Sequence, residues 1–555
     1  MLSSYFIKRS QQPQLWKRTR LVVAISFLLL FLWAQYTALE SVPALFNTAR
    51  RWHSPDNATR EDAYLKGNSK RAGSRYADAN RTTADQAAVL SDQQEARRVA
   101  VREAMKFAWG NYEEHAFGAD EVDPISGEKI SDVWGNIACS LVDALDTLWI
   151  MELKDEFHRA RDYVANHLNF SHLGTDGRDI SIFETIIREV GGLLSAYDLS
   201  GDSVFKEKAK EMMNLLTPAY HEKEGVFYTK FNPYTKKRSF GGLTQRRALI
   251  ADIGTLQLET RYLSDITGDS KYAEMGNAFY EIVNRKGSYK KTGLFPVYFD
   301  TTRGEFDTSA RSLITLGGFG DSFYEYLLKV YIYSGNREED RYLRRLYDDV
   351  VKGIEDHLLF YSIQDDLYFL QNIKLPWLTP VYHMDHLACF VPGMLALGTL
   401  FETEDHVKNA KHLDLAEKLM KSCYEFYHRQ PTGLSPDVVS FPGMRVVDPH
   451  YRLRPETIES LFYLYRVTKN SKYRELGWEI FQALETHAKT EHGYAAIRNV
   501  TKLPVEQDNK MESFFLAETL KYHYLLQAPE SLIPLHEYVF NTEAHPLRIH
   551  KDVTS

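Results

Sequence analysis

Three acidic residues stand where glycine-rich or polar chain gives way to an apolar, aromatic run. Glu184 lies three residues after Ser181 and four before Arg188, Asp321 follows the run Gly317, Gly318, Phe319, Gly320, and Glu456 follows Arg454 and Pro455. Taken singly, each has a structural reason to be there. Ser181 and Glu184 have the spacing of a capping box, Asp321 suits the positive end of a helix dipole, and Pro455 suits a first helical turn with Glu456 beside it. Counted together the balance shifts, because such helix-leading acids recur along the chain among aromatic rather than solvated neighbours. Aromatic rings such as Tyr324, Phe514 and Phe515 stack on the apolar faces of sugars, while carboxylates and Arg454 bind hydroxyls. Hydrolysis of a glycosidic bond needs two carboxyl groups, one kept protonated for the leaving oxygen and one ionised. Several acids here supply the pair.

Other chemistries find less support. There is no Walker phosphate loop, no Gly-x-Ser-x-Gly elbow and no zinc helix, and Gly318 and Gly320 lack the third glycine of a dinucleotide fingerprint. His386 and His545 stand without ligand spacing, and no EF-hand pattern occurs. With 67 basic and 75 acidic residues the formal charge is -8, and no long basic run lies outside the N-terminus, so nucleic acid is excluded as a partner.

The elements that must position these acids repeat. An acidic residue, a leucine-rich or aromatic helix and a polar turn such as Thr267-Gly268-Asp269 return near Asp143, Gly192, Leu256, Asp321, Asp385, Glu456 and Glu512. A recurrence at roughly 45 to 70 residues predicts helix hairpins repeated some seven times, which can close into an α/α toroid. In such a ring the inner helices start at one face, and their leading acids converge on a central cavity.

Ahead of the repeats, Leu21 to Leu39 is uncharged, mostly apolar and long enough to span a bilayer. Lys8, Arg9, Lys17, Arg18 and Arg20 precede it with no acid among them, so positive-inside bias places residues 1–20 in the cytosol and everything after the span in the lumen. A cleaved signal peptide is the alternative, but the stretch is long for one and no small-x-small site follows. Residues 40–90 are polar and aperiodic, a solvated stem, and 91–555 form the catalytic domain. Lumenal placement makes the sequons at Asn57, Asn80, Asn169 and Asn499 usable.

From Glu95 to Pro546 the chain resembles the class I α-1,2-mannosidases, glycoside hydrolase family 47. The motifs stand in the family's order: from Val142 to Leu148, Phe183 to Arg188, Gly320 to Lys329, Met384 to Phe390, Arg454 to Ser460, Met511 to Tyr522 and Phe540 to Pro546. The resemblance implies an all-α, (α/α)7 barrel, inverting hydrolysis of terminal α-1,2-linked mannose from high-mannose N-glycans (nine mannoses towards eight to five), and a Ca²⁺ cofactor. Glu184 matches the family's proposed general acid, Glu456 the proposed base, and Asp321 a third essential acid. Asp437 stands where relatives often have Glu and where a catalytic acid is sometimes assigned. Thr542 matches the direct calcium ligand, and Glu459, Glu518 and Glu543 match residues that hold its waters and the sugar hydroxyls. Arg188, Asp385, His386, Arg454 and Phe514 match substrate-contacting positions.

Cys389 and Cys423 align with the family's disulfide, which degradation-enhancing relatives tend to lack; Cys139, in an apolar run, is left as a buried free thiol. Phe319 departs from the Arg that single-mannose endoplasmic-reticulum enzymes carry and matches the apolar residue of Golgi-type enzymes with broader trimming. The resemblance thus implies a processing enzyme of the Golgi or endoplasmic reticulum, and with the length and charge pattern around residues 21–39 the expectation is a monomer anchored in that membrane by one type II helix. A mannose-binding lectin without turnover and a toroidal glycosidase acting on glucose polymers are the competing readings.

Overall fold

Helices dominate the computed structural model, which describes residues 83–550 apart from 242–245, 336 and 403–404. The expected tail, the membrane span over 21–39 and nearly all of the stem lie outside the described residues, as do Asn57 and Asn80. Among the described residues no helix is long and apolar enough to cross a membrane. The chain divides into Met1–Val89 and Leu90–Ser555, and the site lies wholly in the second unit.

Fourteen helices of eight residues or more occur among the described residues. They are α1 (Thr83–Ala116), α2 (Cys139–Ile150), α3 (Lys154–Asn166), α4 (Gly191–Ser200), α5 (Ser203–Leu216), α6 (Gln257–Thr267), α7 (Lys271–Lys286), α8 (Asp321–Tyr333), α9 (Arg341–Gly353), α10 (Val391–Leu400), α11 (His406–His428), α12 (Glu456–Thr468), α13 (Lys472–His487) and α14 (Leu520–Gln527). Each even-numbered helix packs on the even-numbered helix that follows it, and the turn Phe515–Thr519 leading into α14 packs back on α2, so the contacts run in a closed circuit. Odd-numbered helices lie against them: α3 on α2, α5 on α4, α7 on α6, α9 on α8, α11 on α10 and α13 on α12. α1 is tied in by Arg97, which grips Glu475 of α13, and by Arg98, which donates to Tyr524 of α14.

Burial follows this arrangement. In α8 every residue from Ser322 to Tyr333 is buried, as is all of α14, whereas α5 buries only Phe205, Ala209, Met212, Met213 and Leu216 on one stripe. A helix apolar all round needs neighbours on every side, and a striped one faces water. Large side chains such as Tyr324, Tyr326, Tyr463 and Tyr522 fill the interior with essentially no exposure, each contributing roughly 1.5–3 kcal/mol of burial.

The Gly-Asp turns read in the sequence join consecutive helices by two caps. Gly201 and Gly268 end α4 and α6 at φ 72° and 70°, a left-handed conformation that costs a glycine little. Asp202 then accepts a hydrogen bond from Val204 N at 3.0 Å and caps α5. Small antiparallel ladders with strands of two to four residues lie between the hairpins; these are additions to the expected all-α architecture. One of them, Tyr538–Phe540 paired with Pro546–Arg548, carries the tip 541–545 among the even-numbered helices.

The expected disulfide is present: Cys389 and Cys423 are joined, their Cα atoms 5.8 Å apart, and Cys139 is a buried free thiol.

Candidate active site

A cavity of about 530 Å³ opens where the even-numbered helices start. Eight carboxyl side chains line it, Glu184, Asp252, Asp321, Glu325, Glu456, Glu459, Glu518 and Glu543, against three basic ones, Arg188, Lys230 and Arg454. Phe319, Phe514 and Thr542 also face it. Eleven of the sixteen site residues expected from sequence are therefore brought together here. Two more are the disulfide pair, and Asp385, His386 and Asp437 lie outside the lining.

The capping box expected of Ser181 and Glu184 does not form, whereas Asp321 and Glu456 stand in the first turns of their helices as expected. Ser181 precedes the helical turn Ile182–Glu184 but makes no cap hydrogen bond, and the following Thr185–Val190 runs in π geometry. Such widened turns recur at functional sites, and a second one, Phe515–Thr519, carries Glu518. Glu184 instead accepts from Arg188 Nε at 2.9 Å. Asp321 opens α8, and its carboxylate accepts from Ser322 N at 2.9 Å. Glu456 opens α12 directly after Pro455.

Arg188 is the cation at the centre. Its guanidinium reaches Glu184, Glu543 at 2.8 Å and Asp143 at 3.7 Å, and its charge lies 5.4 Å from the Trp134 ring and 5.9 Å from that of Phe514. Behind it sits an array with no exposure. His545 Nε2 is 3.3 Å from Asp143 and its Nδ1 is 2.9 Å from Asp146, which Lys521 approaches at 2.8 Å. Lys521 also donates to Ala544 O at 2.7 Å. Asn541 donates to Ile187 O and Glu259, and Lys329 donates to Asn541 O. The tip carrying Thr542 and Glu543 is thus fixed from α2, α6, α8, α14 and the turn before α4.

Asp437, Asp385 and His386 support the wall rather than form it. Asp437 Oδ1 accepts from Arg454 Nε at 2.6 Å and its other oxygen is held by Arg452, so this carboxylate is committed to two guanidiniums. Asp385 packs against the Gly317 backbone, where a Cβ would lie 2.1 Å from its Oδ2. It thereby braces the loop that presents Phe319, which has φ 82° and is 57% exposed. His386 is buried; Nδ1 lies 2.8 Å from Glu456 Oε2 and Nε2 lies 2.8 Å from the Tyr427 hydroxyl. A proton on Nδ1 lets the ring donate to Glu456.

Electrostatics separate the carboxyls. Burial, with the charges of Glu325 and Glu456 alongside, pushes Asp321 up to about 7 against the pull of Arg454. Burial would also raise Glu456, but the hydrogen bond and charge of His386 and the charge of Arg454 outweigh it and hold this carboxyl below its ordinary value. Glu459 is pushed to about 8 by burial and by Glu325 and Glu456, despite Lys329. Glu543 is pushed to about 8 by burial, against Arg188. Glu518 is driven well up by burial and by Glu543, Glu456 and Glu459.

This is a donor set short of positive charge and rich in oxygen. Among the described residues no three His, Cys, Asp or Glu side chains are grouped to hold a metal by themselves. Thr542 lies amid the carboxyls, its Oγ1 donating to Glu325 Oε2 at 3.0 Å, and Glu543 Oε2 is buried without a partner. Hard oxygen donors in an acid-rich pocket fit a divalent cation of the calcium type.

Sequence reasoning missed Glu325, Lys329, Asp252, Lys230 and Trp134. Glu325 and Lys329, one and two helical turns beyond Asp321, were legible from spacing. Asp252, which burial and Glu184 push up to about 7, carries no such signal.

Known proteins agree with this geometry. The family model for glycosyl hydrolase family 47 matches residues 104–549. Mannosyl-oligosaccharide 1,2-alpha-mannosidase MNS1 of Arabidopsis thaliana is 42% identical over 461 residues, 82% of this chain and 79% of that protein. The endoplasmic reticulum mannosyl-oligosaccharide 1,2-alpha-mannosidase of Homo sapiens is 41% identical over 467 residues, 82% of this chain and 64% of that protein. The solved α-1,2-mannosidase from Trichoderma reesei superposes with a TM-score of 0.76 at 30% identity, covering 82% of this chain and 99% of that one. An acid-lined cavity at the starts of paired helices and a family match across most of the sequence lead to one conclusion: the chain belongs to glycosyl hydrolase family 47.

Proposed function

We propose that the protein is a mannosyl-oligosaccharide 1,2-α-mannosidase that trims terminal α-1,2-linked mannose from high-mannose N-glycans with inversion. The observation that carries the mechanism is the division between Asp321, held protonated to about neutral pH, and Glu456, held ionised by His386 and Arg454. Glu456 is the base that takes a proton from the attacking water. Glu184, steered by Arg188, delivers a proton to the leaving oxygen, and Asp321 is a second proton-bearing carboxyl in the same wall. Phe514 and Phe319 offer ring faces to the sugar, and Arg454 and Arg188 bind its hydroxyls. Asp437 acts through Arg454 rather than on the substrate.

Thr542 would ligate Ca²⁺, with Glu459, Glu518 and Glu543 holding its waters. When bound, calcium supplies oxygen coordination that orients sugar hydroxyls and offsets the excess acid. The helix circuit is read as an (α/α)7 barrel. Its lumenal, membrane-anchored placement rests on the charge pattern around residues 21–39, and Golgi-like residence on Phe319.

The test is incubation with a nine-mannose glycan before and after chelation. Mannose release that stops on chelation and returns with Ca²⁺ supports the reading. Glycan binding without product would replace it with the lectin reading.

A further inference from the structure

Two of the four sequons lie among the described residues, and both turn their reactive groups outward. In Asn169-Phe170-Ser171 the middle ring is buried and pins the turn that follows α3, while Asn169 and Ser171 on either side of it are exposed. Ser171 Oγ donates to Asn169 Oδ1 at 2.9 Å, and Asn169 Nδ2 donates to His167 O at 3.3 Å. An amide nitrogen has two protons. One is held by His167, and the other has no acceptor among the described residues. Asn499-Val500-Thr501 has the same form, with Val500 buried and Thr501 Oγ1 donating to Asn499 Oδ1 at 2.7 Å.

Asn169 differs from Asn499 in what lies beside it. His167 lines a shallow depression of about 520 Å³ between the end of α1 and the last turns of α3. The floor is aromatic: Phe117, 36% exposed, meets the Tyr163 ring edge to face at 5.3 Å, and Tyr163 leans on His167 at 5.4 Å. The rim is charged: Glu113 takes both arms of Arg159, and the Asp162 side chain is 70% exposed. Ring faces bordered by carboxylates and a guanidinium form a surface for a sugar. A free saccharide gains too little on so open a surface to offset its lost freedom. Tethering removes that cost, because a short covalent link holds the sugar at an effective concentration on the order of millimolar.

We propose that Asn169 carries an N-linked glycan whose innermost N-acetylglucosamine lies on the floor formed by Phe117 and Tyr163. The inference rests on the lumenal placement proposed above, where the donor is an oligosaccharide linked to a lipid diphosphate. The bond from sugar C1 to the diphosphate oxygen breaks, the bond from C1 to Asn169 Nδ2 forms, Nδ2 loses one proton, and the lipid diphosphate departs with the bonding pair. The remaining Nδ2 proton keeps its bond to His167 O and so aims the sugar at the depression. There the apolar face and acetyl methyl cover the Phe117 ring, and the hydroxyls reach the carboxylates of Asp162 and Glu113. The glycan thereby covers the junction of α1 and α3.

The experiment uses the full chain, purified in detergent from a host whose secretory pathway glycosylates asparagine. Peptide mass spectrometry reports occupancy at each sequon, and the rate at which a peptide N-glycosidase strips each glycan from native protein reports its protection. The expected result is an occupied Asn169 whose glycan is released about tenfold more slowly than that of Asn499, the scale of one ring contact plus one hydrogen bond. After unfolding the two rates converge. Phe117→Leu, which keeps bulk but removes the ring face, and Asp162→Ala should each shrink the native difference to about threefold. The Asn499 rate is the internal reference for the fold. A bare Asn169 beside a modified Asn499, equal native rates in the parent, or a difference that neither substitution alters overturns the proposal. Both sites bare refutes the lumenal reading, and the proposal with it.

Discussion

Replacing His386 isolates the base. Glu456 is held ionised by two partners, His386 Nδ1 at 2.8 Å and the charge of Arg454. His386→Leu removes the first and leaves the second. A hydrogen bond to a charged group is worth roughly 1.5–3 kcal/mol, and one pKa unit corresponds to about 1.4 kcal/mol, so the Glu456 carboxyl should rise by about one to two units. The sign follows from its role: the base works only when ionised, so kcat/KM is lost as pH falls through its pKa, and raising that pKa moves the acid limb upward. His386→Asn returns an amide donor near the Nδ1 position and should recover part of the shift, which a merely structural defect would not allow. The assay is kcat/KM from pH 4 to 8 for all three proteins. An acid limb that stays in place in His386→Leu while only the plateau falls would refute the assignment of that limb to Glu456.

Three further outcomes follow from particular contacts. Lys521→Met strips the counter-charge from Asp146 inside a fully buried array, and breaking such a pair costs roughly 3–5 kcal/mol, measurable by denaturant unfolding; an unchanged midpoint would show that the array is neutral to stability. Cys423→Ser opens a bridge spanning 34 residues, and loop-closure entropy puts the loss at roughly 4 kcal/mol, read from the same unfolding curves with and without reductant. Phe319→Arg places a multiply donating cation at the exposed mouth of the cavity and should narrow the set of mannoses removed; an unchanged product ladder would remove Phe319 from specificity.

What the sequence revealed and what it concealed have a common cause. The hairpins were legible because α8 and α12 begin with an acid and end in polar turns, and because the Gly201-Asp202 turn is a cap pair whose residue types are dictated by backbone geometry. Glu184, Asp321 and Glu456 were legible as acids leading apolar helices. Their partners were not. Arg188 meets Glu543 only when the tip 541–545 inserts among the even-numbered helices, and Asp252 meets Glu184 only where the segment Ile250–Gly254 packs beside Ile182–Glu184. His386 and Asp385 occupy adjacent positions in one turn; which face of that turn looks into the cavity is set by Tyr427 and by Gly317, far away in sequence. The short ladders escaped because strands of two to four residues cannot display an alternating pattern. The span over 21–39 was read from hydropathy and charge alone.

The central claim is inverting hydrolysis of α-1,2-linked mannose by carboxyls of this one cavity. Proton NMR of a nine-mannose glycan digestion, recorded within the first minutes and before mutarotation, tests it most directly. The account predicts β-mannose as the first-formed product, loss of α-1,2 linkages alone, and no release by Glu456→Gln. First-formed α-mannose, cleavage of other linkages, or undiminished release by Glu456→Gln would contradict it.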